Sequence, residues 1–330
     1  MIHGCDDASP MTDNVRTGVL LPTGSNQWQE AADPRRLIDF AVRAERLGLD
    51  SVWVNDSLLS PRIEALTLLA ALAPMIERVT LGTAALLPVL RRPVQAAQTL
   101  ASLDLLSGGR LALGVGAGFP GRFGKPLYEL SEVPWQRRFA RLDDTVALWR
   151  QLWSGDREQG ADSFHGEVLH YDGLPESTTA YRPGGPPVWL GAASPTALAR
   201  TGRLYDGWLP YPPDPDDYAS GLADVRRAAA EAGRPPADVT PAVYATVLVA
   251  DDAEQGRQHL DRFARATYGM PLAELSQIQA LVTGTQAEVT AHLRRYTAAG
   301  ARHLVVRIGA VGFTAQSEQL ERLAELTTRI

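Results

Sequence analysis

Along the chain, short runs of apolar and β-branched residues alternate with longer stretches in which apolar positions recur every three or four residues. The short runs predict strands over 17–22, 51–55, 79–86, 111–115, 188–191, 207–211, 243–250 and 303–308. The longer stretches predict amphipathic helices over 34–47, 93–106, 139–153, 195–205, 218–232 and 286–299. In the first of these Leu37, Phe40, Ala41, Ala44 and Leu47 share a face, and Gly48 supplies a stop. Strand–helix alternation implies parallel strands, because a parallel pair needs a long crossover between its members. Eight strands are the number that closes a (β/α)8 cylinder, so the expectation is an α/β TIM barrel over 15–330.

Two stretches are too long for a bare βα unit. Residues 154–187 are rich in Gly, Pro and turn formers, and FHGEVLHY, from Phe164, reads as a short hairpin inside them. Residues 266–283 lack a sustained period. In a barrel both are insertions, in the loops around strands 4–5 and 7–8, where long ordered segments tend to act as lids. Residues 1–14 lack the basic-then-apolar order of a signal peptide. They read as a disordered leader in which Met11 is an alternative start.

Composition narrows the class. The 330 residues are 45% hydrophobic and 21% charged, as in a soluble protein with a large core. A net charge of −6 offers no basic footprint for nucleic acid. No apolar run approaches a membrane span, so the cytoplasm is the default location. Cys5 has no partner for a disulfide or a thiol metal site, and His165 and His170 read as surface positions of the hairpin, a poor metal pair, so no metal is expected. Lys125 is the only lysine among 32 basic residues, an arginine bias that fits a GC-rich genome of the actinobacterial kind. Hydrolase elbows, P-loops and zinc-protease motifs are missing from the sequence.

The candidate chemistry begins at GAGFPG, from Gly116 to Gly121, a literal G-x-G-x-x-G. Its context is wrong for a dinucleotide. That fingerprint belongs to the first strand of a fold and opens a helix at once. Here it follows the fourth strand and precedes a stretch broken by Pro126 and Pro134. Glycine-rich backbone at the end of a strand either lets a flat or anionic ligand approach the main chain or makes a tight loop with no ligand. Arg91, beside Arg92, reads as a bidentate hold on an anion or as a solvated pair. Arg307 stands among Val305, Val306 and Ile308, where a charge is costly unless it meets a polar site or a partner. Trp153, Trp189 and Trp208 read as core, while Trp135, in the irregular stretch after the fourth strand, is a candidate pocket wall. Ser194 before Pro195 has the form of an N-cap, and the helix terminus it opens favours an anion.

Five ordered motifs now gather: RAERLGLDSVW from Arg43, RVTLGT from Arg78, LDLLSGGRLALGVGAG from Leu103, PPVWLG from Pro186 and LYDGW from Leu204. They resemble those of bacterial luciferase-like monooxygenases and reductases, from about Arg16 to Ile308. The resemblance implies a barrel that binds FMN or the deazaflavin coenzyme F420 at the carboxyl ends of its strands. It matches Asp56 to the acidic residue beside the ring. It puts Ser57 where deazaflavin members usually carry a His, and a hydroxyl cannot supply a proton near neutral pH as His does. Ala84, Ala85 and Leu87 match the segment under the ring, with a non-prolyl cis peptide between Ala84 and Ala85. Ala117 and Gly118 match ring-contacting backbone, and Ala193, Ser194, Thr196 and Ala197 match a phosphate loop. Phe119 replaces the Glu that serves deazaflavin-dependent sugar-phosphate dehydrogenases, which speaks against that activity.

The function so implied is hydride transfer between reduced F420 and an organic substrate. Asp56 and Ser57 stand at the reacting end, and Phe119, Trp135, Arg91 and Arg307 shape the substrate pocket. An FMN-dependent monooxygenase using molecular oxygen is the alternative, and a non-catalytic binding subunit a second one. The resemblance also implies a homodimer.

Overall fold

Where the sequence alternates, the chain extends. The computed structural model describes residues 14–28, 33–58, 61–118, 124–154 and 162–330. Most of the leader, with Cys5 and Met11, and the pocket candidate Phe119 lie outside these residues. The strands are β1 (Arg16–Leu20), β2 (Ser51–Val54), β3 (Thr80–Leu86), β4 (Leu111–Val115), β5 (Phe164–His165) and β6 (His170–Tyr171). They continue with β7 (Val188–Leu190), β8 (Gly207–Trp208), β9 (Thr240–Val249), β10 (Leu281–Gly284) and β11 (His303–Ile308). Eight of them close a parallel cylinder, β1-β2-β3-β4-β7-β8-β9-β11 and back to β1. This is the expected TIM barrel, and every loop leaving a strand gathers at one end, the mouth. Among the described residues no helix is long and apolar enough to cross a membrane.

Prolines explain two shifted boundaries. β8 ends at Trp208, short of the expected 211, since Pro210 has no N–H for a ladder. β9 starts at Thr240, earlier than expected, and contains Pro241. That proline is tolerated where β8 gives out, and its carbonyl still accepts from the Arg302 N–H at 2.7 Å.

The first insertion contains the expected hairpin, β5 antiparallel to β6. The second is more ordered than its composition suggests. It begins in the last turn of a helix over Ala253–Tyr268, and contains a turn of helix over Leu272–Leu275 and most of β10. β10 lies parallel to the upper half of β9, above the point where β8 leaves it. Helices Ala65–Leu72, Ala253–Tyr268 and Phe313–Thr327 add to the six read from the sequence.

Inside the cylinder every second side chain points inward. The lower interior is filled by Trp53, Trp189 and His303, whose rings sit 5.2–5.5 Å apart. Trp53 Nε1 donates to Ser51 Oγ at 2.7 Å, and that oxygen lies 2.7 Å from His303 Nε2. Gly82 and Gly207 make room for the indoles: a Cβ at Gly82 would sit 2.2 Å from Trp53 and one at Gly207 2.4 Å from Trp189. The barrel is therefore plugged below and can take a ligand only at its mouth.

Candidate functional site

The mouth has an acidic edge held by arginine. Asp56, just past β2, is 11% exposed. Arg91 Nη2 donates to its Oδ1 at 3.1 Å while Nη1 donates to Oδ2, and the Leu87 N–H donates to Oδ2 at 3.0 Å. Arg91 also donates to Glu64 at 2.8 Å. Burial works against the Arg91 charge, yet Asp56 and Glu64 raise its pKa above the ordinary value. Arg91 is thus neither solvated nor turned toward a substrate, the two alternatives the sequence left open; it welds the loop after β2 to the loop after β3. Glu64 was not singled out in the sequence. It caps the helix Ala65–Leu72 by accepting from the Thr67 N–H, a cap that precedes an unrecognised helix. Ser57 follows Asp56 and is half-buried.

Beside this edge lies a bed of small residues. The Ala84–Ala85 peptide is cis, at the position the sequence indicated. The Asp56 N–H reaches the Ala85 carbonyl at 3.3 Å, and the Gly116 N–H reaches Leu86 at 3.0 Å. A Cβ built on Gly116 would meet nothing nearer than Ala85 Cβ and the Gly191 carbonyl, both at 3.9 Å. Backbone at the ends of β3, β4 and β7 therefore meets here without crowding. Gly118 turns the chain away with φ +77, a conformation that favours glycine. The Ala117 carbonyl accepts from the Tyr128 hydroxyl at 2.7 Å, and burial pushes that phenol up to about 12, so it stays a donor. Trp135 packs edge-on against Tyr128 at 4.9 Å and lies under the Arg138 guanidinium at 3.9 Å. It buttresses this loop through Tyr128.

Ser194 is the N-cap of Pro195–Leu204, as its sequence suggested, and its Oγ accepts from the Ala197 N–H at 3.3 Å. Ala193, Ser194 and Thr196 are exposed, while Ala197 is buried in the core. Pro195 offers no N–H and that of Ala197 is taken, so an anion here would meet the Thr196 N–H and the hydroxyls of Ser194 and Thr196. Next to this loop Ala192, Ala193, Trp208, Tyr211, Asp217 and Ile278 line a cavity of about 380 Å³.

Across the cylinder from β3 and β4, the mouth is polar. Arg307 on β11 and Tyr244 on β9 point inward, Arg307 being 5% exposed. Arg307 Nη1 donates to the Tyr268 hydroxyl at 2.6 Å, and its guanidinium lies 4.9 Å from the Phe263 ring centroid. The structure brings Asp56, Ser57, Ala84, Ala85, Leu87, Ala117, Gly118 and Arg307 to one mouth, with Ala193, Ser194 and Thr196 at its rim. Tyr244 and Tyr268 were missed. Tyr244 has a signal, the alternation with Ala242 and Thr246; Tyr268 is set by tertiary contact alone. Among the described residues no cluster of side chains could hold a metal ion.

The geometry suits a flat ring with an anionic tail: a smooth backbone bed, a fixed carboxylate at one edge, and a helix terminus within the same mouth. A model of the family described as luciferase-like monooxygenase matches residues 15–328. An F420-dependent glucose-6-phosphate dehydrogenase of Kineococcus radiotolerans is 31% identical over 87% of this chain and 91% of its own length. One of Amycolatopsis mediterranei is 37% identical, but the match spans 58% of this chain and 57% of that protein, little more than half. Among solved structures, an F420-dependent secondary alcohol dehydrogenase bound to an F420-acetone adduct superposes with a TM-score of 0.78. It covers 95% of this chain and 98% of its own at 19% identity, a likeness of fold. The FMN-bound oxygenating constituent of a diketocamphane monooxygenase from Pseudomonas putida superposes at 0.74 and 17% identity, covering 96% of this chain and 99% of its own.

Proposed function

The chain belongs to the luciferase-like monooxygenase family, whose oxidoreductases use F420 or a flavin, and on that premise we propose that it passes hydride between F420 and an organic substrate at the barrel mouth. The observation that carries this reading is the bed: Ala85, Gly116 and Gly191 meet without crowding beside the Ala84–Ala85 cis peptide, with Asp56 fixed at its edge. Relatives named for F420 favour that cofactor over FMN. A homodimer and a cytoplasmic location belong to the same reading.

When bound, F420 supplies the redox-active ring that gives or takes the hydride. The protein's part is to hold and orient. Ala84, Ala85 and the Gly116–Gly118 backbone support the ring face, leaving no side chain between it and the main chain. Asp56, held by Arg91, fixes the ring edge. Ser194 and Thr196 hold the phosphate at the helix terminus. Ser57, next to Asp56, would orient a polar group through its hydroxyl but would not supply a proton at neutral pH. Trp135, packed on Tyr128, would help wall the mouth.

Ser57 in place of a histidine keeps the FMN-dependent monooxygenase as the second reading. The two separate in one experiment. Apoprotein is titrated with F420 and with FMN, and turnover is followed with and without oxygen. Saturable F420 binding and turnover indifferent to oxygen support the proposal. Tight FMN binding with oxygen-dependent turnover, and no F420 affinity, reverses it.

A further inference from the structure

Arg307 presents a charge in the barrel that the described residues do not neutralise. It follows His303 and Val305 on the inward face of β11 and is level with Leu20 at the mouth end of β1. Its side chain is almost wholly buried, and its Nε is buried without an acceptor. The groups that face it are the hydroxyls of Tyr268 and Tyr244, and no described carboxylate lies within ion-pair distance. Cation–π contact with Phe263 and Tyr268 offsets part of the burial cost. A desolvated guanidinium still favours a permanent counter-ion, because it cannot shed its proton.

A second arginine sharpens the point. Arg62, half-buried on the loop after β2, sits near Arg307, Tyr244 and Tyr268. Burial, then the Arg307 charge, lowers its pKa below the ordinary value, and the Asp56 carboxylate opposes that shift. Like charges gathered at a partly dry mouth repel, and an anion bound beside them turns that repulsion into attraction. The polar wall made by β9 and β11 stands four strands round the cylinder from the bed on β3 and β4. A molecule lying over the bed would thus turn a charged substituent toward Arg307.

We propose that Arg307, with Arg62, Tyr244 and Tyr268, binds an oxyanion of the substrate, a carboxylate or a phosphate, so that this enzyme acts on acidic molecules. The assignment rests on the substrate entering this mouth, as the proposed function has it. It is tested on apoprotein, so a wrong choice between F420 and FMN leaves the result standing.

Calorimetric titration with inorganic phosphate, benzoate and neutral benzamide reads the site directly. Wild-type protein binds phosphate or benzoate and not benzamide, and Arg307→Met weakens that anion about tenfold or more. Benzoate alone marks a carboxylate site, phosphate alone a phosphate site. Failure to bind either anion overturns the proposal, as does equal affinity in Arg307→Met, which would place the anion elsewhere. Parallel loss of F420 affinity in Arg307→Met would assign the site to the cofactor's own tail and overturn it too. Should Arg307→Met not fold, Arg62→Met carries the test: weakened anion binding supports the site, and unchanged binding refutes it.

Discussion

Arg91 grips Asp56 on both oxygens, Nη2 to Oδ1 at 3.1 Å and Nη1 to Oδ2, from 35 residues away. The Leu87 N–H shares Oδ2, so three of the carboxylate's roughly four acceptor sites are taken and one on Oδ1 is left to meet a ligand. Asp56 is a positioning group: it sets the loops that flank the bed. Arg91→Met should therefore cost about 1–3 kcal/mol of stability and weaken cofactor binding about tenfold. Arg91→Lys should recover the charge without the two-pronged geometry and fall between the two. Chemical denaturation and cofactor titration check both, and unchanged binding in Arg91→Met would remove Asp56 from the site.

Two neighbouring glycines should behave oppositely. A Cβ at Gly114 would lie 2.2 Å from the Thr83 carbonyl, so Gly114→Ala should destabilise the barrel by several kcal/mol or prevent folding. At Gly116 a Cβ would make only ordinary contacts, at 3.9 Å or more, so Gly116→Val should keep the wild-type melting temperature within a few degrees. Its side chain would nonetheless occupy the bed. Cofactor binding should drop by about a hundredfold or more, and binding at wild-type strength would show that the ring does not lie there.

The hairpin hangs on one carboxylate. Asp144 accepts from the N–H groups of Glu167, Val168 and Leu169, and a Cβ on Gly166 would lie 2.4 Å from it. Asp144→Ala removes the acceptor for all three donors. Amide exchange over 164–171 should accelerate at least tenfold while the barrel strands stay protected. Unaltered exchange would mean that other contacts hold the hairpin.

Acid should weaken the fold through His303. Burial, and then the Arg16 charge, pushes this imidazole from 6.5 down to about 3. The folded state thus stays neutral where the unfolded chain takes up a proton. The stabilisation is complete above pH 6.5 and is lost as pH falls from 6.5 toward 3. The loss is on the order of a few kcal/mol. His303→Gln can still meet Ser51 but cannot titrate. Its unfolding free energy should change less over that window than wild type, and identical pH profiles would contradict the assignment.

Features set by local backbone chemistry were legible in the sequence. The alternation of β11 and the cap at Ser194 each depend on a few adjacent residues, whereas the cis bond at Ala84 was read from the family resemblance. Arg307 was visible as a charge in an apolar strand. The Asp56–Arg91 pair was not, because it exists only once β2 and β3 lie side by side. Helix Ala253–Tyr268 escaped notice because it buries only Gly256, Leu260, Phe263 and Ala264, a narrow stripe on a largely polar element. β10 is four residues long, half of them only partly buried, and ends on Gly284, which gave no period to read. The polar wall depends on Tyr268 at the end of that unseen helix, so its chemistry was out of reach.

The central claim is that a flat redox cofactor rests on the small-residue bed with its phosphate at Ser194. A crystal structure of the protein with F420 tests it most directly. The account predicts ring density over Ala84, Ala85 and Gly116, with Asp56 at its edge and phosphate oxygens on Ser194 and Thr196. Density in the cavity beside Trp208 and Asp217 instead, with the bed covered by protein, would contradict it.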